Sequence, residues 1–480
     1  MNVNKWHAGL AAAVVVAATG SAFLLWRPSV ITVRVYSDYS FRLQHSNWSD
    51  LLESRFRDAA LIFQRSGTGV RWKVLGSNVT DPTSNITAAL DTRRSLLPQQ
   101  GDNQAAVLVS FTSLQEGDRI GSTNPFSRAA IVVDFPDRSE WANSVILAEN
   151  LAHMFAAPID PAWVQSASAA APRSARFPPR VGTLIHRLRR YPFAAGVDGL
   201  LEGSWAQRAV DAIAQSDTTP GSNHAARGQQ VVGVSLLNDR RRDAAVVHLR
   251  EATRLDPKNV ALHIETALAL SRNGQDADAL PELTEATRLD PNSAILHQSL
   301  GSLLVKMHRP EEAMEEIGIA ARLDPKNAAT QIVLATALSQ QPGRFDATAA
   351  ALHAALRLDP NSALAASDLE QLALNKQAVR DEIAKQRPRV EKAPRDSDAH
   401  YRLGLALARS GDYRNGLREL RTSMTLRPGY GPAYAESAAV YYQLGDHAAA
   451  WRDVKQSRAL GTEPPTGLVA ALTHKMPPPQ

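Results

Sequence analysis

Leu255-Asp256-Pro257 decides how the C-terminal half of this 480-residue chain is read. The same phrase returns as Leu289-Asp290-Pro291, Leu323-Asp324-Pro325 and Leu358-Asp359-Pro360, and weaker versions end at Pro394 and Pro428. Successive prolines lie 34, 34, 35, 34 and 34 residues apart. A fixed period means one structural unit copied along the chain, each copy burying its apolar face on the next. Proline cannot continue a helix, so each phrase marks a helix end. Small residues also return at fixed places between the phrases. They are Gly233, Ala245 and Ala252, then Ala267, Ala279 and Ala286, then Gly301, Ala313 and Ala320. After a gap the pattern resumes with Gly404, Gly416 and Ser423, and with Ala438, Ala450 and Ser457. A small side chain lets two helix backbones approach, so each unit reads as a pair of packed helices.

This pattern resembles the tetratricopeptide repeat, in which two antiparallel helices make one unit. The resemblance covers 223–476 and implies an all-α solenoid of six or seven repeats. The fourth unit carries one extra residue in Gln340-Gln341-Pro342-Gly343, between its helices, and the seventh has Thr462 in place of the proline. The fifth unit, 363–396, is degenerate, with Glu370, Glu382 and Arg389 where small residues belong. It predicts a helical but poorly packed unit, where the array bends or splits into 223–362 and 397–475. Pro281 falls inside a second helix and predicts a kink. A capping helix is expected over 466–476, before a Pro-rich tail at 477–480.

The resemblance implies no catalytic chemistry in the array. It implies a concave groove, lined by the first helix of each unit, for an extended peptide or a helix of another protein. The groove candidates are Arg227, Gln230, Ile264, Gln298, Tyr401, Leu405 and Tyr442. They are mostly neutral, and no row of Lys, Arg and Asn suggests a clamp for a C-terminal carboxylate. Some of them are expected only to pack the array.

Composition bounds the rest. The length allows several domains with full cores. A hydrophobic content of 44% is ordinary, and a net charge of +5 is small for this length. No zinc finger, aromatic-basic motif or long Lys/Arg run points to nucleic acid. The chain has no Cys, which excludes disulfides, Cys-based zinc sites and Cys nucleophiles.

At the N-terminus, residues 8–26 (AGLAAAVVVAATGSAFLLW) carry no charge and are flanked by Lys5 and Arg27. That run is about the length of a membrane span, roughly 20 residues. Trp6 and Trp26 sit at its ends, where interfacial aromatics belong. Residues 1–28 are therefore expected to form one transmembrane helix. A cleaved leader is the rival, since Gly20-Ser21-Ala22 is a tolerable cleavage site. With an anchor, the body lies outside the cytoplasm, on the periplasmic side of a bacterial inner membrane. With cleavage it is secreted.

Residues 29–200 read as a mixed α/β domain. Strands are expected over 30–36, 70–75, 105–111 and 129–135, and helices over 49–64, 84–96 and 141–157. A loop is expected at 117–125, and a second, rich in small residues, at 166–176. A basic helix follows at 181–190, with His186, Arg187, Arg189 and Arg190, then a helix and linker over 201–222. Four basic residues on so short a helix read first as a solvated face.

The last helix of that domain ends in Glu149-Asn150-Leu151-Ala152-His153-Met154-Phe155-Ala156-Ala157-Pro158. With the preceding element order, this resembles the zinc helix of metzincins, whose motif is H-E-x-x-H-x-x-G-x-x-H. If His153 stands for the second His, the first falls on Glu149 and the general base on Asn150. The glycine falls on Ala156 and the third ligand on Ile159. Glu149 and His153 keep the spacing that puts two ligands on one helix face. An amide at Asn150 cannot act as a base, and Ile159 cannot ligate. Asp160 is one residue late, and 161–185 holds no Met for a Met-turn. The resemblance therefore implies a zincin-like α+β domain without hydrolysis. It implies no cofactor, while leaving Glu149, His153 and Asp160 as a degenerate ligand set for a residual zinc.

Together these readings give a multi-domain chain: a transmembrane helix, a zincin-like α/β domain and a tetratricopeptide solenoid. The expected function is a membrane-anchored scaffold that binds a protein or peptide, not an enzyme and not a nucleic-acid binder. The alternative is a zinc metallopeptidase whose repeats recruit substrate.

Overall fold

The computed structural model describes residues 29–79, 107–112, 121–123, 125–127, 129–133, 135, 137–158, 161–169, 174–217, 221–465 and 467–476. The anchor at 8–26, the helix at 84–96, Asp160 and the tail at 477–480 lie outside them. Among the described residues, no helix is long and apolar enough to cross a membrane. The chain forms two compact units, Met1–Pro257 and Lys258–Gln480.

The first unit is built on a five-stranded sheet in the order β2-β1-β3-β5-β4. Its strands are β1 (Ser29–Ser37), β2 (Val70–Val79), β3 (Val107–Thr112), β4 (Gly121–Thr123) and β5 (Ala129–Val133). Neighbouring pairs are parallel except β4 with β5. Parallel strands need crossovers, which explains the helix between β1 and β2. The short α1 (Tyr39–Gln44) leads into that helix, α2 (Trp48–Arg65). The strand β4 lies where the sequence predicted only a loop. It is three residues long and pairs solely at the sheet edge, too short to leave a periodic signal.

Ile31, Val33 and Val35 alternate into the core, and α2 covers it with Leu52, Phe56, Ile62 and Phe63. Helix α3 (Glu140–His153) starts on Ser139, whose hydroxyl accepts the Ala142 amide at 3.1 Å. All of its residues from Trp141 to Ala152 are buried. Its buried polar side chains are hydrogen-bonded, Asn143 to the Phe135 carbonyl at 3.0 Å and Ser144 to the Glu140 carbonyl at 2.9 Å. It stops at His153, earlier than predicted, because Ala156 turns to φ 63 and the Met154 carbonyl accepts the Phe126 amide. The predicted loop at 166–176 is partly helical, as α4 (Pro161–Ala169). The indole of Trp141 holds α4 by donating to the Ala167 carbonyl at 3.0 Å.

Helices α5 (Pro179–Leu188) and α6 (Trp205–Ser216) follow, with a 3-10 segment at Phe193–Leu201 between them. The first repeat, α7 (His224–Asn238) with α8 (Arg242–Leu255), completes this unit. Gly228 of α7 sits against the Val210 carbonyl of α6 with no room for a Cβ.

The second unit is a run of helical hairpins. They are α9/α10 (Val260–Arg272, Asp276–Leu289), α11/α12 (Ala294–Lys306, Pro310–Leu323) and α13/α14 (Ala328–Ser339, Phe345–Leu358). Beyond the fifth unit come α16/α17 (Ser397–Ser410, Tyr413–Leu426), α18/α19 (Gly431–Gln443, His447–Ala459) and the cap α20 (Leu468–Lys475). The Leu-Asp-Pro phrase is a helix stop: the Asp256, Asp290 and Asp324 amides close the last turn before proline bars continuation. The α10 helix continues through Pro281 to Leu289.

The small residues do what the pattern implies. Ala279, Ala286, Ala313 and Ala320 are fully buried between helices. Gly404 and Gly416 face one another so closely that a Cβ on either would meet the other's carbonyl oxygen at 2.9 Å.

Each hairpin turn places one residue at positive φ: Arg240, Gly274, His308, Gly343, Gly411 and Gly445. The fifth unit has no such turn. Its equivalent stretch is Asn375-Lys376-Gln377, and α15 runs unbroken from Ala363 to Lys392, 30 residues. The predicted weak hairpin is thus a single helix, and only Ala365 and Gln386 of it are buried.

Candidate functional site

Without its turn, the fifth unit supplies one long wall instead of two packed helices. Beside it, the α13–α14 loop and the α16–α17 loop come into contact. The Gly343 amide donates to the Arg409 carbonyl at 3.0 Å, and the Tyr413 hydroxyl donates to the Pro342 carbonyl. The inserted residue of the fourth unit lies in this loop. Between it, α15 and α16 lies a cavity of about 810 Å³.

Helix α15 lines this cavity with Leu372, Asn375, Ala378, Val379 and Glu382, and α16 lines it with Asp398, Tyr401, Arg402, Leu405 and Arg409. The loop adds Gly343, Arg344 and Phe345, and Tyr430 closes against Tyr401 edge-on at 5.1 Å. The charges are unevenly satisfied. Asp398 pairs with Arg402 at 2.9 Å, and Glu382 accepts a 2.8 Å hydrogen bond from the buried Gln386 amide. Neither Arg344 nor Arg409 makes a side-chain hydrogen bond or ion pair among the described residues. Burial, with help from Glu436, pushes the Tyr401 phenol up to about 12. Burial raises Glu436 as well, against the pull of Arg409.

Of the seven groove candidates, only Tyr401 and Leu405 share this cavity. Gln298 packs the array: its amide oxygen accepts from Asn327 and from Thr330, each at 3.1 Å. Tyr442 lies against His447 with the rings tilted, centroids 5.5 Å apart; burial and the nearby Glu311 carboxylate both raise its phenol. Ile264 is half-exposed on α9. Arg227 and Gln230 lie in the first unit and bond to each other at 2.8 Å, and Arg227 lines a smaller cavity of about 220 Å³ with Ala156 and Asp217.

Arg344, Arg409 and the α15 residues escaped the sequence reading. The signal that could have found them is the missing turn residue at Gln377.

The degenerate motif on α3 is a closed structure. Asn150 is buried and spends its amide N–H on the Ile146 carbonyl at 2.9 Å. His153 is bonded through Nδ1 to the Ala157 carbonyl at 2.6 Å, which leaves Nε2 as the basic nitrogen of the neutral ring. Burial lowers its pKa, and the Ala157 bond opposes that only in part. Glu149 is buried and has its own partner. Among the described residues, no three His, Asp or Glu side chains converge on a point that could hold a metal. One imidazole and one engaged carboxylate do not fit a catalytic zinc.

The fold and the cavity define a helical-hairpin solenoid interrupted by one fused unit. Residues 233–294 match the sequence model of the tetratricopeptide repeat, so the chain carries tetratricopeptide repeats. No curated protein matches the chain.

Solved structures similar to it include a tetratricopeptide repeat protein from Parabacteroides merdae. That one is 11% identical, over 58% of this chain and 96% of that one, with a TM-score of 0.28. PilF of Pseudomonas aeruginosa is 15% identical over 56% and 98%, with a TM-score of 0.26. YrrB, described as having an unusual peptide-binding site, is 17% identical over 48% and 98%, with a TM-score of 0.21.

Proposed function

We propose that the chain is a scaffold whose repeats bind a protein or peptide segment, and that it is not an enzyme. One observation carries the reading: the 810 Å³ cavity beside the fused α15, with Tyr401 and Leu405 on its wall. Helix–hairpin arrays bind through such concave surfaces, with main-chain and side-chain contacts spread over several units. In this reading residues 29–200 form a zincin-like domain that has lost hydrolysis. The element order from β1 to α3 supports the likeness, and so does φ 63 at Ala156, where the motif carries glycine. Asn150 at the base position speaks against catalysis. Residues 8–26 would hold the body outside the cytoplasm, in the organisation 29–200, 201–222 and 223–476.

The test is selection of displayed random peptides on the purified full chain. Enriched peptides should lose binding when Ala378→Trp, on an exposed face of α15, fills the cavity. Peptides that bind Ala378→Trp as well as wild type would place recognition elsewhere. Elemental analysis of the same preparation should show no stoichiometric zinc. Zinc lost together with peptide cleavage on His153→Ala would restore the metallopeptidase. A reporter fused after Gln480 should behave as extracytoplasmic; a cytoplasmic reporter would overturn the topology.

A further inference from the structure

Two cations of the cavity are unpaired among the described residues, Arg344 in the α13–α14 loop and Arg409 in the last turn of α16. Arg344 follows the Gly343 whose amide bonds the Arg409 carbonyl, so both stand at the same rim. Both side chains are exposed. Two of the neighbouring carboxylates are already paired. Asp398 holds Arg402, Lys376 holds Asp346 at 2.5 Å just outside, and Glu436 stands by Arg409 without bonding it. Glu382 is the one lining carboxylate with no cation partner, and it is tied to Gln386 on the α15 wall. Apolar lining is contributed by Leu372, Phe345 and Leu405. An arginine without a carboxylate is a ready fork for one, and such pairs are the stronger hydrogen bonds.

We infer that this cavity takes an acidic segment of a partner protein, with one large apolar side chain seated by Leu405 and its carboxylates on Arg344 and Arg409. This rests on the peptide-binding reading above and adds the chemistry of the ligand.

The probes are peptides enriched on the full chain from a random display library, resynthesised and measured by calorimetry at two salt concentrations. The enriched set should be rich in Asp and Glu around one large apolar residue. The double variant Arg344→Glu/Arg409→Glu should weaken such peptides by at least about tenfold, since each carboxylate–guanidinium bond contributes that order. A selection on the double variant should turn toward Lys and Arg. Glu382→Gln should tighten the acidic peptides several-fold. Thermal unfolding of the double variant should match wild type, because both arginines are exposed. Peptides that are blocked by Ala378→Trp yet neutral in composition, or indifferent to the double reversal, would overturn the acidic ligand and leave peptide binding standing. Enriched peptides unaffected by Ala378→Trp would overturn both.

Discussion

Gly343 rests directly on Gly411, backbone to backbone, joining the turn of the fourth repeat to the turn of the sixth. Consecutive hairpins normally separate such turns, so this contact exists because the unit between them never folds back. A Cβ on Gly343 would overlap the Gly411 Cα, and Gly343 also stands at φ 73. Gly343→Val should therefore destabilise the second unit by about 2–3 kcal/mol, combining backbone strain and a steric clash. Urea denaturation followed by circular dichroism reads this. A loss under 1 kcal/mol would show the contact to be dispensable.

The hairpin turns predict opposite effects at one repeat position. Arg240 adopts φ 65 where four other units carry glycine, and a side chain there is strained. Arg240→Gly should stabilise by about 0.5–1 kcal/mol. Gln377 stands at the same place in a continuous helix. Gln377→Gly should destabilise by about 1 kcal/mol, the usual helix-interior cost. If both variants moved stability the same way, α15 would not be the single helix described.

Three hairpins are tied by one side-chain pair at a constant offset: His263–Glu282, His297–Glu316 and His400–Glu419, each at 2.7 Å. His297 and His400 also direct their second nitrogen at a proline carbonyl at 3.1 Å. These bonds stitch the first helix of a unit to the second and to the preceding stop. A double-mutant cycle on His297→Ala and Glu316→Ala should return a coupling of about 1–2 kcal/mol, as expected of a largely buried charge-assisted bond. Coupling below about 0.3 kcal/mol would reduce the pair to packing.

The first unit should be sensitive to acid through His153. Burial holds its pKa below the ordinary 6.5. The unfolded chain then binds the proton more readily than the folded one. Its contribution is complete above the unfolded value and is lost as pH falls through the lowered folded value. Thermal melts of wild type should fall as the buffer passes below 6.5, and His153→Gln should remove that part of the slope. Equal acid sensitivity in the variant would assign it to other groups.

Much of the fold was legible because its signals are periodic. The Leu-Asp-Pro stops and the alanines of each unit state the hairpin geometry residue by residue, and β1, β2 and α2 follow from alternation and an apolar stripe. The functional region was legible only in part. Tyr401 and Leu405 sit at groove positions of an ordinary unit, so the repeat pattern finds them. Arg344 belongs to an inserted loop, and Ala378 and Glu382 line a wall only because a turn is missing. An absent turn residue is a weak signal in sequence, since Asn375-Lys376-Gln377 suits a helix as well as a polar linker. The edge strand β4 was missed for its brevity.

The account turns on the fifth unit being one helix, and a distance decides that most directly. The chain has no cysteine, so spin labels can be placed cleanly at Glu370→Cys and Glu391→Cys, both exposed on α15. A continuous helix separates these positions by about 32 Å along its axis, at 1.5 Å per residue. Pulsed electron resonance on the full chain should return a single distribution near that length. A distribution near roughly 16 Å, from two helices about 10 Å apart with the labels offset along them, would mean that the unit folds back as a hairpin and the cavity does not form.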